Sequence, residues 1–574
     1  MRASFAFRVR LFAIAIVLVS LFFIIRLYDI QIVKGHIYKE RAESQYLNES
    51  IDHFDRGTIF FNPVKGPPIA GATLSSGYRI AVVPKEITNA EEMYTILSGY
   101  IQLDREEFIA RATKIDDPYE EIAHRVPSEV AQRIREAKLP GIRLAREKWR
   151  DYPAGESAAN VLGFIGYGNG DTLSGQYGLE RFYDSVLTKD NTGAVLNFFA
   201  DLFADIKGRL SDSAQRPGAD ILTAIEPTVQ SFSEDLLRRY VEDWSPQEVA
   251  MVIVEPDTGR VITMAVLPTF NPGEIATSDP STFANPLVEN VYEFGSIVKA
   301  LTMASGIDSG AVTPETEYVD KGFAVYDGSR ISNFDGRARG RVSMQEVLSQ
   351  SLNTGVAFVV EEMGTDTFRE YIEKFGLREE TGVDLPNEAQ PITGNMDSPR
   401  TIEYVTASFG QGIAVTPIAM VRALATLANG GVVPSPHVAI ELQYPGSFPK
   451  KLGWAPERRA LSESATEATT KMLVEVVDSA LRGGSVKILE MSVAAKTGTA
   501  QIALPNARGY YDDRYLHSFF GYFPAYNPEY LIFMYSVAPQ GARYASETLT
   551  NPFMETVRFL ISYYDIPPDR ASYE

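Results

Sequence analysis

Two β-hairpin patterns separated by much of the chain constrain the fold more than any other sequence feature. VAMVIVEPDTGRVITMAV (249–266) has two apolar runs around a Pro-Asp-Thr-Gly turn, and HSFFGYFPAYNPEYLIFMYSV (517–537) is a second two-strand pattern. The segments between them are mostly helical in character, including SMQEVLSQSLNTGVAFVVEEMG. Strands at both ends with helices between predict an α+β fold, in which one antiparallel sheet is built from distant segments and flanked by helices.

Length and composition bound the possible functions. A chain of 574 residues is too long for one ordinary domain, so two or three domains are expected. The net charge of −20 argues against nucleic acid as a partner, because such proteins need a basic face. The absence of cysteine removes disulfides and thiolate catalysis, and the five histidines show no ligand spacing, so no metal is predicted.

The N-terminus carries an uncharged apolar segment, LFAIAIVLVSLFFII (11–25), with Arg8 and Arg10 before it and Arg26 after it. This segment is shorter than the roughly 20 apolar residues that span a bilayer. The flanking arginines can extend their side chains to the membrane interface, so we still predict a single transmembrane helix. A cleaved signal peptide would need a small-x-small site, and the following RLYDIQIVKG offers none. The preceding arginines predict a cytoplasmic N-terminus and a main body outside the cytoplasm.

Changes of pattern along the chain predict three regions: a cytoplasmic tip and anchor at 1–26, a mixed α/β region at 27–215, and a further domain at 216–574. The middle region includes two amphipathic helix patterns, AEEMYTILSGYIQL (90–103) and PSEVAQRIREAKLPG (127–141), but no evident nucleophile–base pair. Around RPGADILTAIEPTVQ (216–230) a Pro-Gly turn leads into a strand pattern and then an amphipathic helix that ends near Trp244. This change of character sets the predicted boundary.

The segment YEFGSIVK (292–299) places a serine and a lysine one helical turn apart. A serine hydroxyl is a weak nucleophile until a base lies within reach, and a neutral lysine amine can be that base. Residues i and i+3 share a helix face, so Ser296 and Lys299 are predicted to lie side by side. A second S-x-x-K at Ser447–Lys450 contains Pro449, which does not fit a hydrogen-bonded first turn, so we read it as a chance match.

Two further motifs follow in order. Ser351-Leu352-Asn353 is an S-x-N, and Lys496-Thr497-Gly498 is a K-T-G. Each of the three motifs has a structural explanation by itself: the serine as a helix N-cap, the asparagine as a loop residue, and Lys-Thr-Gly as a turn. The order S-x-x-K, S-x-N, K-T-G is the signature of penicillin-binding proteins and serine β-lactamases.

The wider sequence resembles the class B penicillin-binding proteins, which are membrane-anchored D,D-transpeptidases of bacterial wall synthesis. YEFGSIVK resembles the family's Y-E-P-G-S-x-x-K, with Phe294 where proline is usual. Other stretches similar to the family are RGTI (56–59), DYPAGESAANVLGFIGYG (151–168), YGLERFYD (177–184), FGLREETGVDLPNE (375–388) and SFGQGIAVTPIAM (408–420). The resemblance implies a serine β-lactamase-like transpeptidase fold for 216–574 and a pedestal or dimerisation-like domain for 27–215.

The resemblance also implies two acyl transfers through a serine ester. Ser296 would attack the penultimate D-alanine carbonyl of a stem peptide, and an amine of a neighbouring strand would then accept the acyl group. Lys299 is the predicted base, with its pKa lowered by the nearby positive charge of Lys496. Ser351 is predicted to pass the proton to the leaving amine.

The remaining motif residues are implied to bind the substrate. Asn353 would hold the peptide's amide backbone, and Lys496 would place positive charge near the terminal carboxylate. Thr497 and Thr499 would donate hydroxyl hydrogen bonds to that carboxylate, and Gly498 would let the substrate lie close to the strand. Backbone N–H groups of residues 296 and 499 would form an oxyanion hole. No cofactor is implied.

The implied partners are peptidoglycan stem peptides, β-lactams as covalent inhibitors, and a SEDS-family glycosyltransferase in the membrane. A β-lactamase or D,D-carboxypeptidase is the main alternative, but no E-x-x-L-N segment lies between S-x-N and K-T-G. A non-catalytic wall-assembly or β-lactam-sensing protein would be expected to have broken motifs, and a bifunctional enzyme would need a longer N-terminal region. The sequence favours a role in division over one in elongation, through K-T-G-T-A and the VTPIAM stretch.

Overall fold

A computed structural model describes residues 55–114, 117–167, 173–188, 218–454, 458–504 and 509–570. The predicted membrane segment at 11–25 lies outside these ranges, so the transmembrane helix stays a prediction. Within the described ranges, none of the helices has both the length and the apolar character needed to cross a bilayer. The chain divides into two compact units, each formed from more than one stretch of sequence.

The smaller unit has as its described parts residues 55–56, 74–114 and 117–150. Its helices are Ala90–Leu97, Arg105–Ala112 and Ser128–Glu136, and its strands are the second part of Ile69–Val82, with Glu120–Val126 and Ile142–Asp151. The two helices predicted in this region are confirmed but are shorter than their patterns. Asn89 and Asp104 cap the first two helices by accepting hydrogen bonds from backbone N–H groups.

The larger unit is built on a five-stranded antiparallel sheet. Its strands are β1 (Glu248–Val254), β2 (Val261–Leu267), β3 (Ala494–Ala503), β4 (Tyr510–Phe523) and β5 (Tyr530–Val537), in the order β3-β4-β5-β1-β2. The two hairpin patterns therefore meet through the β5–β1 pairing, where Met534 lies opposite Met251. This confirms the prediction of one sheet assembled from distant segments.

Both faces of the sheet are buried, which explains the nearly continuous apolar runs of its strands. Alternate residues of one strand enter different cores, as Val252 and Met251 do. Helices Pro227–Trp244 and Thr550–Tyr563 cover the Met251 side with Leu237 and Leu560. The helix pattern predicted to end near Trp244 is thereby confirmed. The other face carries most of the helices, including α1 (Val298–Asp308) and α2 (Asn353–Met363).

The other helices and strands of this unit surround that sheet. The further helices are Ala159–Leu162, Gly178–Phe182, Asp184–Leu187, Pro286–Glu289, Met344–Ser349, Thr365–Lys374, Thr401–Ser408, Pro417–Ala428, Glu463–Glu475 and Ala545–Thr548. Short two-stranded antiparallel pairs are Ile165–Tyr167 with Leu173–Gly175, Glu317–Asp320 with Gly340–Ser343, Phe323–Tyr326 with Ser329–Ser332, and Val432–Val433 with Arg458–Arg459.

A second sheet joins early and late segments within the larger unit. Strand Ile59–Phe61 runs parallel to Asp220–Thr223, which pairs antiparallel with Ala439–Gln443. Ile59 and Ile221 lie opposite each other and are fully buried. Residues 57–73 and 151–188 therefore belong to the same compact unit as residues 218–570, although they precede the predicted boundary at 216.

Candidate active site

Ser296 lies in a 3₁₀ turn, Gly295–Ile297, that leads directly into α1. Gly295 has φ +64°, and a Cβ atom there would lie 2.8 Å from the carbonyl oxygen of Thr499. Phe294 is buried, and its carbonyl oxygen accepts a 2.7 Å hydrogen bond from the hydroxyl of Ser518. The turn is therefore fixed against β3 and β4 of the sheet, with Ser296 half-buried at its surface.

Gly498 allows this close contact from the side of the strand. A Cβ atom at this position would overlap the hydroxyl of Ser518 and would lie 2.6 Å from the carbonyl oxygen of Phe294. The space beside Gly498 is thus filled by the protein's own serine turn. The need for glycine at this position comes from that packing, in addition to any approach of a substrate.

A chain of hydrogen bonds joins the two motif lysines through Ser351. Lys299 Nζ donates to Ser351 Oγ at 3.1 Å and to the Ser351 carbonyl oxygen at 2.6 Å. Lys496 Nζ donates to Ser351 Oγ at 3.1 Å and to the Thr497 carbonyl oxygen at 3.0 Å. Three motifs that are far apart in sequence therefore meet at one hydroxyl group.

Burial shifts the protonation of both lysines. Lys299 and Lys496 are nearly inaccessible to water. Desolvation is the main cause that moves the pKa of Lys299 well below its usual value, and the charge of Lys496 adds to the effect. Desolvation also lowers the pKa of Lys496 to about 8. The arrangement favours a neutral amine one helical turn from Ser296, which a base requires.

Ser351 occupies an uncommon backbone conformation, with φ +54°. It lies between helices Met344–Ser349 and Asn353–Met363, so the apparently helical sequence is interrupted at the motif serine. Non-glycine residues at positive φ are strained and persist only where the surroundings hold them. Here the two lysines hydrogen-bond to the serine that carries the strain.

Asn353 begins α2, and its side-chain Nδ2 donates to the carbonyl oxygen of Ser332 at 2.9 Å. The amide nitrogen is thus joined to a neighbouring strand. The next residue, Thr354, donates its hydroxyl to buried Asp320 at 2.8 Å, and its backbone N–H donates to Asn333 Oδ1 at 3.2 Å. Asp320 and Asn333 were not predicted from the sequence, because nothing in their local pattern marks a buried support for the S-x-N motif.

Most of the predicted site residues line a cleft of about 750 Å³, whereas Lys299 and Gly498 are not part of its lining. Ser296, Ser351 and Lys496 share it with Thr497 and Thr499, whose side chains are half-buried. The predicted catalytic and substrate-binding residues therefore lie together. Their roles in the reaction stay predictions.

Thr499 has one hydrogen-bond partner already. Its Oγ1 accepts from the backbone N–H of Ala545 at 3.0 Å, so the hydroxyl hydrogen remains available for donation. This geometry is compatible with the predicted donation to a substrate carboxylate.

Four arginines that were not predicted from the sequence also line this cleft: Arg330, Arg339, Arg482 and Arg543. No motif joins them, since Arg482 and Arg543 lie far along the chain from Arg330 and Arg339. These four arginines and Lys496 are the charged residues of the described lining, so every charged side chain there is cationic. The cleft is suited to anionic ligands.

Comparisons with known proteins agree with this geometry. The family model described as "Penicillin binding protein transpeptidase domain" matches residues 249–557, and the model described as "Penicillin-binding Protein dimerisation domain" matches residues 56–223. The chain is 28% identical to stage V sporulation protein D of Bacillus subtilis, over 96% of this chain and 85% of that protein. It is 26% identical to the peptidoglycan D,D-transpeptidase FtsI of Escherichia coli K12, over 78% and 73%.

Solved structures show the same fold. Penicillin Binding Protein 2X from Streptococcus thermophilus superimposes with a TM-score of 0.72 at 20% identity, covering 91% of this chain and 83% of that one. Penicillin binding protein 3 from Mycobacterium tuberculosis, solved in complex with ampicillin, gives 0.65 at 24% identity, with 75% and 92% covered.

Proposed function

The chain belongs to the class B penicillin-binding proteins, and from that premise we propose that Ser296 carries out D,D-transpeptidation of peptidoglycan stem peptides. The enzyme is a serine-type acyltransferase of cell-wall synthesis. The observation that carries the residue assignment is that Ser296, Ser351 and Lys496 line one cleft, while Ser351 Oγ accepts hydrogen bonds from both Lys299 and Lys496.

In the first step, Ser296 Oγ forms a bond to the carbonyl carbon of the penultimate D-alanine. The bond from that carbon to the nitrogen of the terminal D-alanine breaks. The serine proton passes to Lys299 and then, through Ser351, to the leaving amine. The hydroxyl of Ser351 suits this transfer because it can accept from one amine while it donates to another group.

In the second step, an amine of a neighbouring stem peptide attacks the serine ester. A carbon–nitrogen bond forms, the bond to Ser296 Oγ breaks, and the amine's proton returns to the serine oxygen. A covalent intermediate divides one step with a high activation barrier into two steps with lower barriers. A β-lactam enters the first step in the same way, since its strained amide bond takes the place of the scissile peptide bond.

Hydrolysis is the alternative outcome of the same acyl-enzyme, as in a D,D-carboxypeptidase or β-lactamase. A class A β-lactamase uses a glutamate and a water molecule for deacylation. The charged residues of the described cleft lining are arginines and a lysine, which do not supply a carboxylate base. We therefore favour transfer to an amine, with a long-lived acyl-enzyme when a penicillin reacts.

The test is covalent labelling of the full chain with fluorescent penicillin, followed by peptide mapping. We expect one label, at Ser296, and no label in the Ser296→Ala variant. Ser447→Ala is the matched control, because Ser447 belongs to the rival S-x-x-K and its hydroxyl donates to the Tyr444 carbonyl oxygen in an exposed turn. Labelling that survives in Ser296→Ala, or that is lost in Ser447→Ala, would refute the assignment.

The reaction class needs its own measurement. With a D-Ala-D-Ala donor peptide and an amine acceptor, transpeptidation predicts a cross-linked product whose yield rises with the acceptor concentration. Release of D-alanine without cross-linked product at saturating acceptor would identify a carboxypeptidase instead.

We also propose that residues 11–25 anchor the protein in the bacterial membrane, with the N-terminus in the cytoplasm and the catalytic domain outside. The support is the apolar segment with basic flanks and the resemblance to anchored enzymes. Membrane fractionation and protease protection of the full chain test this topology. Release of the protein by alkaline carbonate would contradict it.

A SEDS-family glycosyltransferase is the proposed membrane partner, since the chain shows no glycan-polymerising motif of its own. Replacing residues 11–25 by an unrelated transmembrane segment should keep penicillin labelling and reduce co-purification with that partner. Unchanged co-purification would exclude the anchor from the docking surface.

The division role remains our proposal for the cellular process. Depletion of the protein should give elongated, undivided cells in that case and rounded cells in the case of an elongation role.

A further inference from the structure

The positive charge of the cleft exceeds what the terminal carboxylate of a D-Ala-D-Ala end requires. Lys496, Thr497 and Thr499 are already assigned to that carboxylate, which leaves the four arginines without a role. The chain as a whole carries a net charge of −20, so a wholly cationic lining does not follow from the composition. Concave walls of one charge concentrate the electrostatic potential that a ligand meets.

Three of these arginines donate hydrogen bonds to the protein. Arg330 Nε donates to Ser332 Oγ at 3.3 Å, and its guanidinium carbon lies 3.9 Å from the ring centroid of Phe323. Arg339 forms a bidentate ion pair with Asp335, at 2.7 and 2.8 Å, which neutralises it. Arg482 donates to the carbonyl oxygen of Ser546 at 3.0 Å and to Asn551 Oδ1 at 2.8 Å. Because these acceptors are neutral, the positive charge of Arg482 remains at the wall of the cleft, although its N–H groups are already hydrogen-bonded.

Arg543 is positioned differently. Its guanidinium carbon lies 5.9 Å from the ring centroid of Tyr515 and 5.5 Å from that of Tyr544, and both rings line the same cleft. Asp512 and Asp513 line a neighbouring pocket with Arg543, yet within the described residues Arg543 forms an ion pair with neither of them. Both rings lie within cation–π distance of the exposed guanidinium, which has no ion-pair partner among the residues that the structure describes.

Arg543 lies close in sequence to a residue that contacts β3, the strand that carries Lys496, Thr497 and Thr499. It precedes Ala545 by two residues, and the Ala545 N–H donates to Thr499 Oγ1. A group bound by Arg543 would therefore lie near the ligand carboxylate predicted for Thr499, but at a separate point on the wall.

We propose that Arg543 is a specificity residue that binds a second carboxylate on the acyl donor, so that the site prefers stem peptides and β-lactams with an extra negative charge. This inference rests on the proposed function. An arginine can hold a carboxylate through two parallel hydrogen bonds, and the charge of Arg482 adds to the attraction at the same wall.

Two penicillins that differ by one carboxylate provide the test. Carbenicillin has a side-chain carboxylate that benzylpenicillin lacks, so the ratio of their second-order acylation rates on the full chain measures the preference. We expect Arg543→Gln to lower the carbenicillin-to-benzylpenicillin ratio about three- to fivefold, as for an exposed ion pair. Arg543→Lys should retain part of the ratio, and added salt should reduce the wild-type preference more than that of Arg543→Gln.

Arg514→Gln is the matched control. Arg514 is an exposed arginine stacked on the ring of Tyr511 at 4.4 Å, and it lines the neighbouring pocket instead of the cleft. Its removal changes the net charge equally and should leave the ratio unchanged. An unchanged ratio in Arg543→Gln, or an equal fall in Arg514→Gln, would overturn the inference.

Peptide ligands extend the test to the natural substrate class. Two pentapeptides ending in D-Ala-D-Ala, with the side-chain carboxylate of the third residue free or amidated, would compete with labelled penicillin. The free carboxylate should compete about three- to fivefold better, and Arg543→Gln should remove that advantage. Equal competition on the wild-type protein would contradict the inference, whereas failure of both penicillins to acylate Ser296 would contradict the proposed function itself.

Discussion

Replacement of Asp320 should show how strongly a buried carboxylate supports the S-x-N motif. Asp320 is 1% exposed and ends the strand Glu317–Asp320. It accepts hydrogen bonds from Gly322 N (2.9 Å), Asn333 Nδ2 (3.0 Å), Thr354 Oγ1 (2.8 Å) and Arg339 N (2.9 Å). These donors come from separate segments, and Thr354 directly follows Asn353.

The hydrogen bonds set the expected size of the effect. Asp320→Ala removes the shared acceptor of these donors. Thr354 Oγ1 keeps Asn333 Oδ1 at 3.1 Å and Asn333 Nδ2 keeps the Arg337 carbonyl oxygen at 3.4 Å, so we assign each donor only about 1 kcal/mol, the low end of the cost of an unsatisfied group. The free energy of unfolding should fall by about 3–5 kcal/mol in total, which is large for one substitution. Asp320→Asn keeps the shape and one acceptor oxygen, so we expect a smaller loss.

Two measurements on the full chain separate stability from positioning: the urea midpoint of unfolding, and the acylation rate with benzylpenicillin. Both should fall in Asp320→Ala, with acylation at least about tenfold slower, because Thr354 loses its hydrogen bond to Asp320 and directly follows Asn353 in the chain. The control is Asp335→Ala, which removes a partly exposed ion pair with Arg339 and should cost less than about 1 kcal/mol. Equal urea midpoints for the two alanine variants would refute the energetic reasoning, and normal acylation in folded Asp320→Asn would refute the positioning role.

Three further predictions follow from single groups. Gly295→Ala should slow penicillin acylation about tenfold or more, because φ +64° and a contact 2.8 Å from the Thr499 oxygen both oppose a Cβ atom; a wild-type rate would contradict this. Lys299→Arg should slow acylation about 10²–10⁴-fold, since arginine stays protonated and cannot act as the base; the circular dichroism spectrum should not change. In the wild type, the acylation rate should fall as the pH drops through the lowered pKa of Lys299, because the amine then becomes protonated. Burial lowers the pKa of His517 from 6.5 to about 4, so the unfolded chain binds more protons between these values and the stability should fall as the pH drops through that window. His517→Gln should flatten this dependence in urea titrations, and an unchanged slope would assign the effect to other groups.

The sequence by itself determined the fold class and the identity of the motif residues. Strand and helix periodicity is a local property, so the hairpins at 249–266 and 517–537 and the helix ending at Trp244 could be predicted from short segments. The order of S-x-x-K, S-x-N and K-T-G indicated acyl transfer because each motif supplies a residue type that this chemistry needs. The N-terminal anchor and the exact domain boundaries stay predictions.

Only the tertiary structure decided which groups support those residues. Lys496 and Ser351 are 145 residues apart in sequence, so their 3.1 Å hydrogen bond depends on how the sheet and helices pack. The positive φ of Ser351 could not be predicted from a segment with a helical pattern, because the groups that hydrogen-bond to this serine, Lys299 and Lys496, lie far away in the sequence. Asp320 and Arg543 could not be predicted from the sequence for the same reason. A buried carboxylate, or an arginine without an ion pair, is recognised only when the hydrogen-bond donors and acceptors around it are known. Those groups come from segments that only the folded structure brings together.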